Sequence, residues 1–283
     1  MTRLVLDYSV DDAAGSFQPP KGTLVLLHGF PDTPALWLPT AEYFTQQGYR
    51  TIRIALPGFA GKGAAAIESV DGISFDELTS AIHDVLTKEN ALGAAIVGHD
   101  WGAVFVYLLT TKYPESVSRA ICLEIGSAPR SLWMLLVVLS YQSLLNLGYV
   151  LGSGLGDWIV RFVCRALGAP RYEGGVTPGA VHAWLYRQAW REAGQRGPGL
   201  FYYRNLVESW RPLPGLPFLF MYGGDFPKPL RFHTSEWRTR VSSYHPQSRS
   251  VALPGKHWFM HEHPLAFHEA LHRFLEPELE QAN

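Results

Sequence analysis

The chain has 283 residues, of which 47% are hydrophobic and 17% charged. That excludes wholesale disorder and suits one large domain, or one domain with an insertion, around a sizeable core. Lys and Arg number 24 against 25 Asp and Glu, a formal net charge of -1, which gives no electrostatic footprint for nucleic acid.

The opening residues "MTRLVLDYSVDD" place charges where a secretory signal needs an apolar run, so no such signal is expected. Short apolar runs follow, alternating with helical patterns. Thr23 to Gly29, Thr51 to Gly58 and Ala94 to His99 read as buried strands ending in turn residues. Between the last two, Phe75 to about Lys88 keeps a helical apolar period, with Ser74 and Glu77 spaced as a capping box. Arg119 to Gly126 reads as another strand. This alternation predicts a parallel sheet covered on both faces.

From about Pro129 to Trp210 the pattern is helical, aromatic and glycine-interrupted, with no strand. Strands resume at Pro217 to Asp225 and at "RSVALPG", before a closing helix from Pro264 to about Leu275 that "HEHP" is expected to cap. A core that pauses and resumes predicts an inserted cap: core 1–128, helical cap 129–210, core 211–283. Inside the cap, Ser131 to Gly156 holds no charged residue and is long enough to span a bilayer. Ser140, Gln142, Ser143 and Asn146 interrupt it, so it reads as a buried or groove-lining helix with at most peripheral membrane contact. Cys122 and Cys164 sit in apolar runs without metal-ligand spacing, as buried thiols of a reducing, cytoplasmic compartment.

Chemistry concentrates at "GHDWGA". Gly98, Gly102 and Ala103 flank Asp100 with small residues, as a strand turning at once into a helix requires. Asp100 could cap that helix or be displayed as a nucleophile. Upstream, "LLHGFPD" follows a strand; downstream come Asp225 after a strand and His257 in "GKHWF". With these four stretches and the inserted cap in order, the chain resembles the aspartate-nucleophile branch of the α/β-hydrolase fold, the epoxide hydrolases and haloalkane dehalogenases.

The resemblance implies Asp100 as nucleophile, Asp225 as acid and His257 as base, with oxyanion donors at the backbone N–H groups of Phe30 and Trp101. It also implies a cis Phe30-Pro31 bond. Glu124, at another strand end, is the rival acid, because some dehalogenases place theirs there. A carboxylate is already ionised near neutrality and can attack saturated carbon, leaving an ester for a His-activated water. A halide leaves unaided but needs N–H donors; Phe30 offers no side-chain donor where dehalogenases often carry Asn. The cap stretches "LSYQSLL" and "GLFYYRNLVESW" resemble the tyrosine segments of epoxide hydrolases, so Tyr141 and Tyr203 would bind and protonate the epoxide oxygen. Trp101, Phe30, Tyr141 and Tyr203 would line the substrate site. Trp184, Tyr186 and Trp190 read as cap core. The expected reaction takes a small hydrophobic epoxide and water to a vicinal diol without metal or organic cofactor. A haloalkane dehalogenase, or a non-catalytic ligand-binding protein on the same fold, is the alternative.

Overall fold

The computed structural model describes residues 3–15, 19–60, 69–126, 132–195, 214–227 and 231–277. Seven strands form one sheet in the order β1-β3-β2-β4-β5-β6-β7. Apart from β1 (Tyr8–Asp11), which pairs antiparallel with β3 (Tyr49–Ile54), every neighbouring pair is parallel. The others are β2 (Gly22–Leu27), β4 (Ala94–His99), β5 (Val117–Leu123), β6 (Phe218–Gly223) and β7 (Arg249–Leu253). β4 is buried along its whole length, which is why it reads as an unbroken apolar run. β1 is absent from the sequence reading because this edge strand has no fully buried residue and carries no such run.

Helices cover both faces. On one lie α2 (Phe75–Lys88) and α3 (Trp101–Lys112), packed through Leu78, Ile82, Phe105 and Leu109. The other face carries α1 (Leu38–Gln46) and the closing helix Pro264–Leu275, through Trp37, Phe44, Phe267 and Leu271. α2 begins with the expected capping box: Ser74 Oγ accepts from Glu77 N, and the Glu77 carboxylate accepts from Ser74 N. His263 stands at the N-cap of the closing helix but makes no side-chain cap bond, so the capping expected of "HEHP" is not seen.

Between β5 and β6 the described residues contain α4 (Leu132–Leu151), α5 (Leu155–Ala166) and α6 (Trp184–Gln195), and no strand. The expected boundaries at 129 and 210 lie outside the described residues. α4 and α5 meet at two glycines: a Cβ on Gly156 would stand 2.1 Å from the Gly148 carbonyl oxygen. Inward-facing polar groups are partly tied together within the cap. Trp190 Nε1 donates to Gln142 Oε1 at 3.1 Å, and Asn146 Nδ2 to the Gln142 carbonyl at 3.0 Å.

Gly156→Ala therefore forces the two helices apart. The expected cost is about 1–3 kcal/mol, read as a fall in melting temperature of roughly 2–10 °C. An unchanged Tm would show that this approach is not constrained.

Candidate active site

The carboxyl ends of β2, β4, β5 and β6 converge on one point, where ligands of open α/β sheets bind. β4 ends at His99 and α3 starts at Trp101, leaving one residue for the reversal. That residue, Asp100, has φ +51°, and its side chain makes no capping bond. The turn is jammed on all sides. A Cβ on Gly98 would meet the Gly102 carbonyl at 2.4 Å, and one on Gly102 would meet the Leu27 carbonyl oxygen at 2.2 Å. Only glycine permits the sheet and α3 to approach so closely, and the strained aspartate is left displayed.

Its two oxygens have different surroundings. Oδ1 accepts from Phe30 N at 2.8 Å, and Trp101 N also donates to the carboxylate. The Phe30-Pro31 peptide is cis. Oδ2 faces His257 Nε2 at 3.8 Å. Burial pushes Asp100 above the usual carboxylate range, against the opposing pull of His257, His99 and the two N–H groups.

On its other side, His257 Nδ1 lies 3.8 Å from Glu124 Oε2. This is an ion-pair distance rather than a hydrogen bond. Burial alone would lower His257; the neighbouring Glu124, then Asp100 and Asp32, outweigh it and hold the imidazole above its ordinary value. Glu124 is buried, has φ +69°, and its Oε1 accepts from Gly223 N at 2.6 Å. The Ile125 N–H donates to the Leu123 carbonyl around it, a γ-turn at the end of β5.

Asp225, the acid expected from the sequence, is not set against His257. It is exposed, its Oδ2 accepts from Gly255 N at 2.8 Å, and its own N–H donates to the Gly255 carbonyl at 3.0 Å. Its carboxylate thus pins the loop after β7, the loop that carries His257. The structure instead brings Glu124 to the imidazole, because β5 lies nearer β4 and its terminal turn aims the side chain across the end of β6.

A mostly apolar cleft opens over Asp100 and His257, walled by Phe30, Tyr141, Tyr186, Phe226, Phe232 and Trp258 among others. Tyr141 is half-buried there, with Gln142 Nε2 at 3.5 Å from its hydroxyl. Tyr186, read as cap core, is buried in the core and also walls the cleft, edge-on to Phe30 at 5.1 Å and to Trp101 at 5.3 Å. The Trp101 ring is buried between Phe75 and Tyr186, so this residue reaches Asp100 through its backbone. Trp184 and Trp190 do serve the cap core, Trp184 Nε1 donating to the Pro57 carbonyl. Tyr203 lies outside the described residues.

A second layer escaped the sequence reading, although its aspartate ends the quoted "HGFPD". Buried Asp32 accepts from Trp258 Nε1 and Tyr172 OH, both at 3.0 Å, and lies 3.4 Å from His99 Nδ1. His99 Nε2–H in turn donates to the His257 carbonyl at 3.0 Å. Burial would raise Asp32, but His99 and Trp258 outweigh it and hold the carboxyl below its usual value. His28 is structural: Leu56 N donates to its Nε2, its Nδ1–H donates to the Gly29 carbonyl, and burial lowers its pKa to about 4.

Comparison with known proteins places this arrangement. The chain is 26% identical over 281 residues to "Epoxide hydrolase 3" of Mus musculus, covering 90% of this chain and 71% of that one. To "Epoxide hydrolase A" of Mycobacterium tuberculosis it is 25% identical over 302 residues, covering 91% of each. The crystal structure of epoxide hydrolase A from Mycobacterium thermoresistibile superposes with a TM-score of 0.61 at 22% identity, over 96% of this chain and 95% of that one, a likeness of fold. With residues 24–270 matching the profile of the Alpha/beta hydrolase family, on top of the parallel sheet and the turn at Asp100, the chain belongs to that family of hydrolases and resembles its epoxide hydrolases.

Proposed function

We propose that the chain hydrolyses an epoxide to a vicinal diol through an ester on Asp100. The observation that carries this reading is an uncapped aspartate at a strained turn, with one oxygen on a backbone donor and the other facing a buried histidine. With Oδ1 held by Phe30 N and the carboxylate also accepting from Trp101 N, Oδ2, the oxygen that faces His257, is the one directed at the cleft. It attacks an epoxide carbon, the carbon–oxygen bond breaks, and the alkoxide takes a proton from a cap tyrosine. That Tyr141 lines the cleft supports it in that role; Tyr203 is its proposed partner by resemblance.

In the second step His257 Nε2 takes a proton from water, which attacks the Asp100 carbonyl carbon. The developing oxyanion is Oδ1, already at the Phe30 backbone donor. Collapse breaks the ester carbon–oxygen bond, and the leaving alkoxide takes the imidazolium proton to give the diol. Asp100, now carrying the oxygen of water, releases the remaining water proton, which restores the tyrosine. Glu124 orients the imidazole and stabilises its charge. The same nucleophile would serve a dehalogenase, yet Phe30 brings an aromatic ring to the cleft in place of a halide donor. A small apolar substrate suits these walls, and the two free, buried cysteines suit a reducing compartment such as the cytoplasm.

Turnover of styrene oxide in ¹⁸O-water should give a first-turnover diol without label, and label in the Asp100 peptide by mass spectrometry. In His257→Gln the alkyl ester should accumulate. Bromide release from 1-bromobutane without diol formation would select the dehalogenase reading, and no ester with either substrate would end both.

Activity should rise with pH as His257 loses its proton, through a midpoint above about 6.5 because its folded pKa is raised. Glu124→Gln removes the charge that raises it, so the midpoint should move down while turnover falls about 10²–10⁴-fold. Asp225→Asn should keep both midpoint and turnover. The opposite outcome for the two variants would return Asp225 to the site. Tyr141→Phe and Tyr203→Phe should each slow ester formation about tenfold or more without slowing ester hydrolysis; full epoxide turnover in the double variant would remove both as proton donors.

A further inference from the structure

The helices that wall the cleft have a second face. Of the fourteen large hydrophobic side chains exposed among the described residues, ten lie between Leu132 and Phe162. On α4 the outward stripe includes Trp133, Leu136, Leu144, Leu147 and Val150, with Ser140 and Ser143 as its polar members. The steps of three and four residues keep it on one side of a helix about 30 Å long. On α5 it continues through Leu155, Trp158 and Phe162, the last two rings stacked at 5.8 Å. No charged side chain breaks the α4 stripe. An exposed apolar surface of this continuity marks an interaction site rather than ordinary surface scatter.

We propose that this face of α4 and α5 docks the enzyme on the surface of a phospholipid bilayer. Three observations select a membrane over a second copy of the chain. Tryptophan at two places in the stripe suits the headgroup boundary, where an apolar body meets water. The α5 stripe then turns basic at exposed Arg165, and beside it lies a cleft of about 400 Å³ lined by Arg161, Arg165 and Arg171 against one buried carboxylate, Asp32, a net positive lining complementary to lipid phosphate. Finally, the opposite face of the same helices supplies Val137, Val138 and Tyr141 to the apolar cleft, so a substrate dissolved in lipid enters beside the docked face.

The helix lies on the membrane and does not cross it. Its inner side is committed to the cap through Gln142 and Asn146, and it meets α5 at Gly148 and Gly156. An amphipathic pair held in this way inserts its outer side chains only to the boundary of headgroups and acyl chains. The docking does not depend on the reaction assigned above and is measured without substrate.

The test uses the full chain and vesicles of phosphatidylcholine with phosphatidylglycerol. The protein should sediment with these vesicles, and brominated lipid should quench tryptophan fluorescence. Trp133→Phe with Trp158→Phe should abolish most of that quenching while keeping binding. Trp133→Glu with Trp158→Glu should weaken binding by about tenfold or more at unchanged Tm, whereas Leu265→Glu, on the closing helix, should bind as the parent does. Arg165→Glu should weaken binding to the anionic vesicles and leave it unchanged at high salt. Absence of vesicle binding in the parent chain would overturn the proposal. So would a concentration-dependent dimer that Trp133→Glu disperses while vesicles remain unbound, assigning the face to self-association.

Discussion

The rest of the site depends on how little room exists between β4 and α3. The sheet and the helix touch through Gly98 and Gly102, where any Cβ would overlap a backbone carbonyl group. A single residue must therefore make the turn, at φ +51°, and its side chain has nowhere to go except over the carboxyl edge of the sheet. The same crowding aims the first N–H of α3 at that side chain and sets it opposite Phe30 N from the end of β2. The aspartate thus arrives with two backbone donors already built around its carboxylate. A helix cap would instead have accepted from the N–H of Gly102 or Ala103, further into the helix.

Around that aspartate the charges are arranged in layers. His257 stands between Asp100 and Glu124, both 3.8 Å away. Burial opposes every charged form here, and it is the pairing of opposite charges that keeps the imidazole basic. Behind this pair, Asp32 gathers Tyr172, Trp258 and His99, and His99 holds the His257 backbone. The imidazole is thus approached by a carboxylate at each nitrogen and anchored through its main chain. Asp225 contributes at one remove, by closing the loop through Gly255.

The cap is two-faced. Its inner side provides aromatic and aliphatic walls of the cleft. The outer side leaves leucine, valine and tryptophan exposed along a continuous stripe. The uncharged segment Ser131 to Gly156 therefore divides its apolar side chains between a buried face and an exposed one, where a core helix would bury most of them.

Wherever the signal was local, it was readable without coordinates. Apolar runs marked the buried strands, the Ser74–Glu77 spacing marked the start of α2, and small residues around Asp100 marked the turn, because each follows from neighbours in the chain. Phe30 and His257 came from the family resemblance that the ordered motifs carry. The partner of His257 was different. Glu124 and Asp225 each follow a strand, and β5 and β6 are adjacent in the sheet, so both carboxylates are near the right place. Which one faces the imidazole depends on a γ-turn after Leu123, on the free N–H at the end of β6, and on the loop that Asp225 binds instead. That Tyr186 walls the cleft as well as packing in the core escaped for a similar reason, since helical periodicity places a ring on a face without naming its neighbour. The chain's own order determined the turn and the aspartate it displays; only tertiary packing, by setting side-chain direction across strands distant in sequence, decided which acid faces His257 and which rings surround Asp100.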